Sequence, residues 1–173
     1  IAFDAEDAGY VRIGDAGSLG FVAPCGTVTK AETLEEKREL IETAIAVFHF
    51  TVEWLYESDE NMEKAVAWYL EDCQNEGLRS NQSIAERVMD WYRGPTMAEY
   101  IEIYTKKSPD DAGLYTKRDL IQAEKDILVG LDFFISQGNY TNEERTKFLD
   151  EGLIDPSVAL GVKEMLETLN IEY

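Results

Sequence analysis

The strongest helical periodicity in the chain lies between Thr33 and Ser58. Thr33 and Glu36 form a capping box, in which the threonine oxygen accepts the Glu36 N–H while the carboxylate returns to the threonine N–H. Behind it, Ile41, Ile45, Phe48, Val52 and Leu55 recur at steps of four and three, and Ala44, Val47 and Trp54 widen the stripe. This predicts the longest and most buried helix, with later helices packed around it. Ahead of it, residues 1–30 follow a different pattern. Tyr10-Val11-Arg12-Ile13 alternates, Gly14, Gly17 and Gly20 punctuate, and Phe21 to Ala23 with Thr27-Val28-Thr29 forms a second β-prone patch. Two short strands are expected there.

Beyond Ser58 the pattern stays helical. Ser58 caps a helix carrying Met62, Ala65, Val66, Tyr69 and Cys73 inward, stopped at Gly77. Ser83 with Glu86 opens another with Ile84, Val88 and Trp91 on its face, and Thr96 with Glu99 a short one with Met97, Ile101 and Tyr104 inward. Residues 106–113, with Pro109 and Gly113, read as a loop. Thr116 with Asp119 starts a helix striped by Leu120, Ile127, Leu128, Leu131, Phe134 and Ile135 and ended by Gly138. Thr141 with Glu144 begins the next, and Asp155-Pro156 the last, with Val158, Val162, Met165 and Leu169 on one face. The sum is a helix-rich α/β chain: 1–30 as a short β segment and 31–173 as one helical domain of about seven helices.

Charge changes the picture more than composition does. The 45% hydrophobic content of these 173 residues is ordinary, but 16 basic against 35 acidic side chains leave a net charge of -19. Such a chain repels a phosphate backbone, so nucleic acid is excluded as a partner. No stretch approaches the roughly 18 apolar residues of a membrane span. The start lacks the basic and apolar regions of a signal peptide, so the chain reads as soluble. Without an initiator methionine it reads as a processed or excised piece.

Candidate chemistry is sparse. His49, the single histidine, sits between Phe48 and Phe50 with no second histidine for zinc, and is best read as a satisfied buried side chain. Cys25 in Pro24-Cys25-Gly26-Thr27 offers an accessible thiol without the flanking signature or third member of a nucleophilic site. Cys73 reads as a small core residue. Neither Asp59-Glu60-Asn61 nor Asp110-Asp111 has calcium-loop spacing, and no Gly-Lys-Ser/Thr loop or Gly-x-Gly-x-x-Gly is present. No metal, cofactor or catalytic mechanism is indicated. Three tryptophans and nine tyrosines are generous for this length and suit packing, interfaces or a small-molecule cleft.

Taken in order, Gly20-Phe21-Val22-Ala23-Pro24, Glu32-Thr33-Leu34-Glu35-Glu36, Val52-Glu53-Trp54-Leu55, Met62-Glu63-Lys64-Ala65-Val66 and the run Asp132 to Thr141 resemble the latter half of type II extracytoplasmic solute-binding proteins of ABC importers. The nearest branch is similar to the nitrate, sulfonate and taurine binders and the thiamine-pyrimidine-precursor binders. The resemblance implies a fragment of a two-lobed α/β fold whose sheet-rich first half is missing, completed by that half or by a second copy. It implies a small-molecule ligand, an anion such as nitrate or a sulfonate, or a pyrimidine. It also implies an ABC permease as partner and an extracytoplasmic location. The matching crossover positions are Pro24, Cys25, Gly26 and Thr27, with Arg12 the nearby cation for an anionic ligand. The alternative is a self-standing acidic helical domain that works by protein–protein contact.

Overall fold

The computed structural model describes residues 2–15, 18, 26–91, 93–109 and 119–173. Among these, the helices are α1 (Ala2–Asp7), α2 (Ala31–Glu36), α3 (Arg38–Glu57), α4 (Asp59–Asn75), α5 (Gln82–Trp91), α6 (Met97–Thr105), α7 (Gln122–Ser136), α8 (Asn142–Asp150) and α9 (Ser157–Leu169). Two strands of two residues, β1 (Lys107–Ser108) and β2 (Leu120–Ile121), pair antiparallel with Lys107 opposite Ile121 and Ser108 opposite Leu120. The chain divides into two compact units, Ile1–Ile13 with Val47–Met97, and Gly14–Ala46 with Ala98–Tyr173.

This architecture corrects the α/β expectation and the type II binding-protein fragment with it. The start of the chain is a helix. Ala2, Ala5 and Glu6 favour it, and Gly9 at φ +90 ends it, with its N–H on the Glu6 carbonyl and the Tyr10 N–H on Ala5. Tyr10–Ile13 and Thr27–Thr29 form no strand; alternation alone does not make one when no neighbouring backbone supplies the ladder. The expected strand at Phe21–Ala23 lies outside the described residues.

In the first unit, α1 is fastened to α5 by charge and π-contact. The Arg87 guanidinium donates to both oxygens of Asp7 at 2.8 and 2.9 Å, reaches Glu6 at 3.3 Å, and lies 4.7 Å from the Phe3 ring centre. Arg12 pairs with Glu6 at 2.7 Å and stacks 3.9 Å from the Trp91 ring centre, while Phe3 meets Trp91 edge-on. The α4 stripe is buried as expected at Ala65, Val66 and Cys73 and packs on α5 through Ala85. Ser58 caps α4 by accepting the Asn61 N–H, and Gly77 at φ +70 closes it. On α5 the cap is Asn81, whose side chain accepts the Ile84 N–H, rather than Ser83.

The second unit holds the aliphatic core. Leu120, Leu128 and Leu149 cluster with Phe148 packed against them, and Ile101, Ile121, Val162 and Leu166 are buried. The segment expected to be loop supplies β1. The expected cap at Thr116 lies outside the described residues; α7 begins at Gln122, where Leu120 and Ile121 are both buried in the ladder and Glu124 takes the Ile121 N–H. Thr141 and Glu144 form the complete capping box of α8. In α9 the buried face is Ala159, Val162 and Leu166, one position round from the expected stripe, which leaves Leu169 exposed. Arg38 joins Glu42 at 3.2 Å to the Ser157 hydroxyl at 3.1 Å, and a β-carbon on Gly161 would overlap the Glu42 carboxylate.

The Thr33–Glu36 cap is not used. α2 starts at Ala31, where the best helix former and the Glu32 carboxylate favour an earlier turn, and Lys30 precedes it without a side-chain cap.

Candidate functional site

The second half of α3 buries polar groups and exposes two large apolar ones. His49 is buried, and its Nδ1 lies 2.9 Å from the Pro95 carbonyl, which only accepts, so Nδ1 carries the proton. One turn on, the half-buried Glu53 accepts the Met97 N–H at 2.8 Å, and Tyr56 donates to the Met89 carbonyl at 2.5 Å. Each inward polar group therefore has a partner, as burial demands. On the other side, Val47 and Phe48 are 60% and 57% exposed although nothing in their chemistry favours water. The expected inward stripe thus holds at Val52 and Leu55, both half-buried, and fails at Phe48.

Val47, Thr51 and Trp54 follow one another at steps of four and three, the spacing that lines a helix–helix seam. Beside them stands Trp68 of α4, 59% exposed and stacked on Trp54 with ring centres 5.9 Å apart and planes 19° from parallel. The corner between the helices is fixed, because Asn61 Nδ2 donates to the Trp54 carbonyl at 2.8 Å. Both indoles are therefore carried on adjoining helices tied at their corner by this bond. Glu71 and Asp72 follow Trp68 by three and four residues, on its own helix face, and Glu57 follows Trp54 by three; all three are exposed. Lys64, four residues before Trp68, is tied to Glu60 at 2.8 Å.

The residues singled out from sequence lie elsewhere. Arg12 is in the first unit and spends its guanidinium on Glu6 and Trp91; Gly26 and Thr27 are exposed in the second, where a β-carbon on Gly26 would sit 3.6 Å from the Tyr104 hydroxyl. Pro24 and Cys25 lie outside the described residues. Cys73 is a buried free thiol beside an open depression of about 500 Å³ that Leu70, Leu78, Arg79 and Ser80 help line. No group of three or more metal-ligating side chains occurs among the described residues, and no described helix is long and apolar enough to cross a membrane. A second aromatic group, Phe133, Phe134 and Tyr140, surfaces in the second unit with each ring a little under half exposed. Its rings are less exposed than Val47 and Trp68, and it lacks tryptophan, a residue enriched in binding hot spots.

Comparison with protein-family models, characterised proteins and solved structures gives no match. The resemblance to importer solute-binding proteins finds no support there.

Proposed function

We propose that this protein is an acidic helical interaction module, which binds another protein through the Val47–Thr51–Trp54 face of α3 and Trp68 of α4. The importer reading depended on a lobed sheet, and the chain forms helices instead; the protein–protein alternative is the one that needs no such sheet. One observation carries the proposal. α3 turns His49 and Glu53 inward, where each must be satisfied individually, and leaves Val47 in water beside the exposed Trp68.

That inversion gives up the hydrophobic gain of burying two large side chains, about 1.5–3 kcal/mol for each one fully buried. A free-standing domain recovers this gain by facing them inward, whereas an interaction surface recovers it on association.

A photo-crosslinking amino acid at position 47 tests this reading. It should yield discrete adducts with a cellular protein, and these should vanish on Trp68→Ser. The same probe at Glu143, exposed on α8, should yield none. Equal labelling from the two positions removes the proposal.

A further inference from the structure

We infer that the occupant of the α3–α4 face is a cationic amphipathic helix of a partner protein, its apolar stripe on Val47, Trp54 and Trp68 and its basic residues on Glu57, Glu71 and Asp72. This rests on the interaction reading above and adds the chemistry of the partner. The shape argument comes from spacing. Val47, Thr51 and Trp54, at steps of four and three along one helix, can accept another helix whose own side chains repeat at the same interval. A segment that binds by adding a strand would need an open sheet edge, and the site offers none, being built from two helices.

The charge argument selects among helices. Trp68 is flanked on its own helix face by Glu71 and Asp72, and the nearest lysine of that face, Lys64, is already neutralised by Glu60. Glu57, Glu71 and Asp72 therefore lie on the tryptophan side of the face with no free cation from that lysine, in a chain of net charge -19. A second copy would bring the same carboxylates against these and pay like-charge repulsion, while a neutral apolar helix would desolvate them without compensation. Lysine or arginine at the edges of an incoming helix meets both needs. The tryptophans add a second attraction, since a guanidinium or ammonium is drawn to an indole face, and Arg12 already stacks on Trp91 in this manner elsewhere in the same unit.

The test uses the whole chain and three synthetic 18-residue peptides: a leucine/lysine helix with one apolar face, its leucine/glutamate counterpart, and a leucine/lysine scramble that has the charge without the face. Binding is followed by tryptophan fluorescence and calorimetry. The leucine/lysine helix should bind at least about tenfold more tightly than either control. Its affinity should fall by at least about tenfold in Trp68→Ser and in Val47→Ser, as for a truncated hot spot. Raising salt from about 0.05 to about 0.5 M should weaken it several-fold. Both side chains are exposed, so these variants should keep the parent circular dichroism.

Equal binding by the scramble, or undiminished binding by both variants, would mean general attraction to an acidic protein and would overturn the inference. Equal binding of the leucine/glutamate helix, lost in Trp68→Ser, would overturn the charge assignment and leave the interaction reading standing. A concentration-dependent dimer abolished by Trp68→Ser would do the same, with a second copy as occupant.

Discussion

The two units are stabilised in different ways. The second buries leucine, isoleucine and valine in contact, and its interior would be recognisable in many helical proteins. The first buries mainly small side chains, Ala65, Val66, Cys73 and Ala85, with Met97 and His49. It is fastened by arginines on carboxylates and rings instead. Both units expose large apolar side chains, Val47, Phe48 and Trp68 in the first and Leu153, Leu160 and Leu169 in the second. What sets the first unit apart is that its apolar surface includes the stacked Trp54–Trp68 pair, and this is the physical basis for placing the binding face there.

The contrast is most directly challenged by deleting core volume from the second unit. Leu128→Ala removes a fully buried side chain from the Leu120–Leu149 cluster and should cost about 2–5 kcal/mol in denaturant unfolding followed by circular dichroism. A loss below about 1 kcal/mol would show that this core is not what holds the unit.

High pH is the next probe. Burial, then the Tyr104 and Glu42 neighbours, pushes the Tyr100 hydroxyl from 10.0 up to about 12. The folded state holds this proton more tightly than the unfolded one. The associated stability is complete below pH 10 and lost as pH rises toward about 12. Wild type should therefore lose stability over that window more steeply than Tyr100→Phe. Parallel pH curves would show that Tyr100 ionises no later than an exposed phenol.

Arg87→Ala probes the first unit's fastening. Its side chain is partly exposed, so its pairs with Glu6 and Asp7 and its contact with Phe3 should together contribute about 1 kcal/mol. That loss should shrink in about 1 M salt. Tryptophan fluorescence reads it selectively, because Trp54, Trp68 and Trp91 all lie in the first unit. The effect at the proposed face should be no larger: Trp68→Ser should cost about 1 kcal/mol or less, the worth of its stack on Trp54, while impairing binding. A larger loss would make Trp68 a structural residue and erase the difference between the units.

Much of the helical layout was legible because capping is local chemistry. Ser58 and Thr141 with Glu144 act within a few residues, and the structure uses them as the spacing implied. Asp155 likewise accepts the Ser157 N–H at the start of α9. Thr33 and Ser83 had the same signature and lost to a stronger neighbour, Ala31 with Glu32 in one case and Asn81 in the other. The β reading of residues 10–13 failed because a strand is defined by its partner, which no local pattern supplies. Lys107–Ser108 was invisible for the same reason. The candidate face was half visible: the apolar positions were plain, but their orientation was not. Ile41, Ile45, Val52 and Leu55 make one side of α3 look like its core face, and only the fixed partners of His49 and Glu53 show that these polar groups point inward.

Gly161 has a corollary at Glu42. In mid-helix, alanine would favour α9 by about 1 kcal/mol over glycine, yet any β-carbon there displaces the Glu42 carboxylate and disturbs its pairing with Arg38. Positions 42 and 161 are thus coupled: a β-carbon at 161 makes the Glu42 carboxylate swing aside, and a shorter side chain at 42 removes that contact altogether.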